Sequence, residues 1–211
     1  MNRHTRERAQ WLAGAGKREA GVKAKLVGML SDGKESPYWR AVAANFLWQW
    51  VREPEVQSAL LERLKDEYPL VRENAVRSLE PLLETENQEI TAVLKPLLND
   101  PVRNVRVAAA WVLRATVNLQ SQAGRELQQA IDYDSDQPTG QYKQGMFLLA
   151  RRQPEQALEH FAKAVEWDPY SPPFHKATAE VLEQLNRQNE ASAEFQKALD
   201  MKIPKPVQSR K

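Results

Sequence analysis

Val105-Arg106-Val107-Ala108-Ala109-Ala110-Trp111-Val112-Leu113 places Ala three residues, and Leu seven residues, after an Arg. Trp39-Arg40-Ala41-Val42-Ala43-Ala44-Asn45-Phe46-Leu47 and Val71-Arg72-Glu73-Asn74-Ala75-Val76-Arg77-Ser78-Leu79 repeat those offsets, with the arginines 32 and 34 residues apart. On a helix, residues four apart share a face, so Ala43 with Leu47, Ala75 with Leu79 and Ala109 with Leu113 each form a seam of one small and one large residue. A neighbouring helix can approach over the alanine and is filled in by the leucine. Each segment follows another amphipathic stretch: Val22, Leu26, Met29 and Leu30; then Val56, Leu60, Leu61 and Leu64; then Ile90, Val93, Leu94, Leu97 and Leu98. Between each pair of stretches stands Ser36-Pro37, Tyr68-Pro69 or Asp100-Pro101. Proline disfavours helix for the residue before it, so one helix ends there and the next begins. The pattern predicts a helical hairpin three times over.

These segments resemble the HEAT family, whose mark is an Asp in the turn and an Arg six residues later. Asp66 with Arg72 and Asp100 with Arg106 keep that spacing, while the first copy has Lys34 before Arg40 and a longer loop. The first copy therefore reads as a terminal, less regular unit.

The second half has a period of 34: Gly145 maps to Ala179, Leu148 to Leu182, Ala157 to Ala191, Phe161 to Phe195 and Ala164 to Ala198. This resembles the tetratricopeptide repeat, in which a small residue on the first helix faces small residues and an aromatic on the second. A proline closes the unit, a part taken by Pro169 and, one place late, by Pro204. Gln141 and His175 stand where that family has a large Trp. Another step of 34 back reaches Ala123, Leu127 and Ala130, which makes residues 121–133 a helix of the same type and residues 104–116 its partner. The expected fold is all-α, a right-handed α-α superhelix of HEAT-like hairpins continuing into tetratricopeptide-like hairpins. Residues 1–118 are the HEAT-like part with an N-terminal capping helix and 119–203 the tetratricopeptide-like part, in one continuous solenoid. Residues 204–211 are a basic tail expected to be disordered.

Composition narrows the function classes. With 42% apolar residues in 211 the chain can bury a core, and its richness in strong helix formers agrees with the periodicity. It has no Cys, which excludes disulfides, thiolate metal sites, thiol nucleophiles and covalent haem attachment in this chain. Apolar stretches fall far short of the roughly 20 residues that span a bilayer, and the N-terminus has no apolar signal core. Residues 1–52 hold ten cations against four anions and residues 202–211 four against none; a net charge of +2 then leaves −8 for the middle. Basic ends flank an acidic body, which disfavours a uniform nucleic-acid stripe.

Candidate chemistry is sparse. Gly14 and Gly16 lack the context of a phosphate loop. His4, His160 and His175 are scattered, with none at the spacing of a helical zinc pair, and the latter two read as partly exposed helix residues. Glu155, Glu159 and Glu166 read as a solvated face. Trp11, Trp39, Trp48, Trp50, Trp111 and Trp167 read chiefly as packing residues, with Trp39 in the core and at least one of Trp48 and Trp50 exposed. No catalytic, cofactor or metal site is expected, and an enzyme is not. A solenoid binds through its groove. The tetratricopeptide resemblance places that groove at Thr139, Tyr142, Met146 and Leu149 in one repeat, and at Lys176, Glu180 and Glu183 in the next. That family's carboxylate clamp is missing, so the implied ligand is an extended or helical segment of a protein or peptide partner.

The order of repeats, with phrases such as Asp100-Pro101-Val102-Arg103-Asn104-Val105-Arg106, also resembles the C-terminal region of bacterial multihaem c-type cytochromes. In those proteins the last haem motif ends in Cys-His-Thr before a helix with a Trp, and here Asn2-Arg3-His4-Thr5 leads into Trp11. That resemblance implies a haem-free scaffold within an exported, periplasmic electron-transfer protein; without it the expectation is cytoplasmic. A nucleic-acid binder or glycosylase of HEAT type is the alternative, motivated by Arg40, Trp48, Trp50 and the basic N-terminal residues. A HEAT protein of the phycobilin-lyase kind would need a bilin cleft, for which the sequence offers no sign.

Overall fold

The computed structural model describes residues 3–83 and 87–201, with side chains described from residue 7 onward. The described residues form twelve α-helices and no strand: α1 (Arg3–Gly16), α2 (Val22–Ser31), α3 (Pro37–Leu47), α4 (Pro54–Arg63), α5 (Pro69–Ser78), α6 (Gln88–Leu94), α7 (Arg103–Val112), α8 (Gln122–Tyr133), α9 (Pro138–Ala150), α10 (Pro154–Trp167), α11 (Pro172–Gln184) and α12 (Gln188–Asp200). The architecture is an α-solenoid of helical hairpins. None of these helices is long and apolar enough to cross a membrane. The 204–211 tail, Pro204 and the side chain of His4 lie outside the described residues.

Local rules set the boundaries. Proline opens α3, α4, α5, α9, α10 and α11 at the first helical turn, where a missing N–H costs nothing and the fixed φ is already helical. The far ends of α1, α9 and α11 close in left-handed turns at Arg18, Arg152 and Asn186, with φ of 53°, 60° and 59°. At the end of α9 the N–H of Gln153 reaches the carbonyl of Leu148 and that of Arg152 the carbonyl of Leu149; at the end of α11, Arg187 and Asn186 donate to Leu182 and Glu183. These are Schellman closures, which occupy the last free carbonyls of each helix.

The periodicity of residues 90–98 ends earlier than expected. Helix α6 stops at Leu94 and a 3₁₀ turn over Lys95–Asn99 follows; Val93, on α6 itself, is 46% exposed. Pro96 cannot donate its missing N–H to the α-helical ladder, so the helix tightens there.

Packing groups the described residues into two compact units: those up to Leu113 with Ser121–Glu126, and Arg114–Gln120 with Leu127 onward. In the first unit α5 packs between α3 and α7. Ala43, Leu47, Ala75, Leu79 and Ala109 are fully buried and Leu113 nearly so, as the seam pattern requires. Ser78 donates its hydroxyl to the Ala44 carbonyl at 2.8 Å, tying α5 to α3. Trp39, expected in the core, is only partly buried; its ring packs on the core edge and carries the Arg8 guanidinium at 5.1 Å, whereas Val71 and Val105 at the equivalent positions are fully enclosed. In the second unit α9 pairs with α10, α10 with α11, and α11 with α12 around Ala157, Phe161, Ala177 and Val181.

Candidate partner-binding cleft

Arg72 and Arg106 do two jobs each. Arg72 directs Nη1 to the carbonyls of Asp66 and Glu67 in its own turn, at 2.7 and 3.1 Å, and its Nε and Nη2 donate to both carboxylate oxygens of Asp100, in the next turn, at 2.8 and 2.9 Å. Arg106 repeats the geometry on the carbonyls of Asp100 and Pro101 and on Glu126 of α8, at 2.7, 3.0, 2.9 and 2.6 Å. Arg40 reaches Asp66 at 2.5 Å. The aspartates also accept from the turn itself: Asp66 Oδ1 from the N–H of Tyr68, and Asp100 Oδ1, which Arg72 Nη2 also reaches, from that of Val102. The Asp and Arg of one repeat thus do not pair with each other by side chains. Each carboxylate serves the arginine of the repeat before it, a two-pronged geometry that neutralises both charges where water is scarce.

The same position continues into the second unit with different chemistry. Gln141 Nε2 donates to the Ser135 carbonyl, six residues back, at 2.5 Å, and its Oε1 accepts from His160 Nδ1, nineteen residues on, at 2.8 Å. His175 sets Nε2 at 3.0 Å from the Pro169 carbonyl, six back, and Nδ1 at 2.5 Å from Glu194, nineteen on. His160 is half-buried, as expected, and burial lowers its pKa from the ordinary histidine value. His175 is not partly exposed: it is 3% exposed, because it fills the turn-clasping position that Arg72 and Arg106 fill earlier. Sequence reasoning placed Gln141 and His175 against the tetratricopeptide Trp and missed this equivalence; spacings of 35 and 34 residues from Arg106 to Gln141 to His175 are the signal that exposes it.

Beside the His175 clasp lies a cleft of about 440 Å³, walled by Tyr142 and Met146 of α9, by Pro172, Pro173, Lys176, Ala177 and Glu180 of α11, and by Phe195, Ala198 and Leu199 of α12. Tyr142 forms its rigid floor, held between Phe161 and Phe174 with ring centroids at 5.6 and 5.2 Å. Leu199 is 56% exposed and Phe195 is half-buried, so the α12 wall is apolar and open. Lys176 and Glu180 face each other at 3.4 Å on the rim. Of the seven groove residues expected from sequence, the structure brings Tyr142, Met146, Lys176 and Glu180 together in this cleft. Thr139, Leu149 and Glu183 do not line it; Thr139 and Glu183 are exposed, and Leu149 packs on the core of the second unit. Pro172, Pro173, Phe195 and Leu199 were not foreseen.

The residues that suggested a nucleic-acid surface are dispersed. Arg40 is buried in its ion pair with Asp66, with side chains 5% and 2% exposed, and Trp50 packs on the core; Trp48 alone of these is open, at 51%. No group of His, Cys, Asp and Glu with the geometry of a metal site occurs among the described residues.

Residues 23–114 and 58–141 each match the family of HEAT repeats, together covering more than half of the chain. No curated protein and no solved structure matches it.

Proposed function

Because the chain belongs to the HEAT-repeat family, we propose that it is a protein-interaction scaffold that seats a short apolar segment of a partner protein in the cleft between α9, α11 and α12. HEAT repeats commonly serve as interaction scaffolds, and the observation that carries the specific reading is the cleft itself. Its walls present Tyr142, Met146, Phe195 and Leu199 to solvent around a single compensated ion pair. Apolar anchors with a small number of polar groups are what a peptide groove needs: the anchors supply affinity and the ion pair orients the chain. Panning a displayed random-peptide library on the purified chain should enrich sequences with two apolar anchors. Met146→Glu, which puts a charge into the apolar wall, should lose them at an unchanged melting temperature. Enriched peptides that bind the variant equally well would remove this cleft from the argument.

The finer reading takes α9 to α12 as tetratricopeptide-type hairpins. It is supported by the 34-residue period and by Gly145, where a Cβ would stand 2.5 Å from the Phe161 ring, the close small-on-aromatic contact of such hairpins. The widest reading makes the chain the haem-free C-terminal part of a multihaem c-type cytochrome. CxxCH motifs in the reading frame upstream of Met1 would support it, and a stop codon with a ribosome-binding site would refute it.

A further inference from the structure

His175 stands on α11 between the cleft residues Pro173 and Lys176, and Glu194 on α12 precedes the cleft residue Phe195. The contact between them, Nδ1 to Oε2 at 2.5 Å, therefore bridges two walls of the cleft. The other ring nitrogen lies 3.0 Å from the Pro169 carbonyl. Both neighbours are acceptors, and a neutral imidazole has one N–H to give. His175 is 97% enclosed, which leaves solvent little access to the place of the missing donor. Satisfying both contacts takes a second proton.

We propose that His175 and Glu194 form a proton-dependent clasp that fixes the spacing of α11 and α12 and so the width of the cleft. The proposal rests on reading that cleft as the partner site. With the ring doubly protonated, Nδ1 donates to Glu194 and Nε2 to Pro169. Loss of one proton leaves a lone pair facing an oxygen on one side, and that contact opens. The closed state binds one proton more than the open state, so rising pH favours opening.

The surroundings fit this assignment. On α12, Lys197 holds the other oxygen of Glu194 at 2.7 Å. Burial opposes the charge on Glu194, yet hydrogen bonds from Lys197 and His175 keep its pKa below the usual carboxylate value. On α10, which also packs against α11, the titratable groups are otherwise engaged or exposed: His160 bonds Gln141, Lys163 lies over the Trp167 ring, and Glu155, Glu159 and Glu166 are exposed. In the turn between them Asp168 accepts from the Tyr170 N–H, Tyr170 is exposed, and on α11 itself Lys176 turns outward to Glu180.

The absence of cysteine allows a direct test on the full chain. Leu199→Cys labelled with bimane reports the cleft through quenching by Tyr142, and ring ¹⁵N shifts report the protons on His175. As pH rises and the ring loses one proton, bimane emission should rise and amide protection of α12 should fall at least tenfold. In Glu194→Gln the side-chain amide can donate to a neutral ring, so bimane emission and α12 protection should both become insensitive to loss of the ring proton. His175→Arg, which restores the permanent cation of the earlier repeats, should hold α12 protection constant. Emission that does not change with pH in the parent, or that changes equally with Gln at 194, overturns the clasp. Failure of every displayed peptide would overturn the scaffold reading and leave these results to stand by themselves.

Discussion

Asp100→Asn tests the inter-repeat ladder at its most complete rung. The substitution keeps an oxygen for the Val102 N–H but removes the charge that faces Arg72, whose side chain is 11% exposed against 5% for Asp100. Removing one member of a buried pair costs about 3 to 5 kcal/mol because the other is left uncompensated. Arg72 keeps the carbonyls of Asp66 and Glu67, so the lower end, about 3 kcal/mol, applies here. Asp100→Ala also orphans the Val102 N–H and should cost about 1 kcal/mol more. Arg72→Met fills similar volume without charge; combined with Asp100→Asn it should recover about half of the sum of the single losses, since the double variant buries no lone charge. Urea unfolding followed at 222 nm measures the cycle. Additive losses would mean that Arg72 and Asp100 do not sense each other, and the ladder would fall.

Acid should unfold the chain through the same carboxylates. Asp100 is held below its ordinary pKa, its burial opposed by hydrogen bonds from Arg72 and Val102, and Glu126 is held down chiefly by Arg106. A lowered folded-state pKa means that the contribution is complete above about pH 4 to 5 and is lost as pH falls through the folded-state value, so melting temperature should drop steeply below about pH 4. Arg152→Gly should stabilise by about 0.5 to 1 kcal/mol in chemical denaturation, because glycine accepts the left-handed φ of 60° without a Cβ clash. Gly140→Ala should be poorly tolerated: its Cβ would fall 1.7 Å from the main-chain oxygen of Asp134, so backbone must move, and a loss below about 1 kcal/mol in urea titration would refute that contact.

Legibility in the sequence follows from which residues obey a period and which do a partner's work. Ala43, Leu47, Ala75, Leu79, Ala109 and Leu113 are legible because a seam repeats with the hairpin. Arg72 and Arg106 were legible as marks, but their carboxylate partners were not. An Asp six residues back in sequence offers Arg72 only its main-chain oxygen, while the carboxylate comes from the turn that stacks next in space. Gln141 and His175 escaped because the position changes residue type while keeping its job. Half of the cleft escaped for a similar reason: Phe195 and Leu199 sit on the second helix of a hairpin, and a groove carried over from first helices does not reach them.

The changing residue at the clasping position has a physical consequence. Arg72 and Arg106 are cations at every pH a cell meets, so the turns they lock stay locked as pH changes. Gln141 clasps the next turn without any charge, and relies on His160 to donate, which a neutral ring can do. His175 is the one member of the series whose two acceptors ask for more protons than its neutral form holds. The member of the series that faces two acceptors is therefore also the one bordered by an open apolar cleft. In the proposed scaffold the turns held by Arg72 and Arg106 keep their charge when the His175 clasp loses a proton, so a pH change that alters the cleft leaves those turns paired.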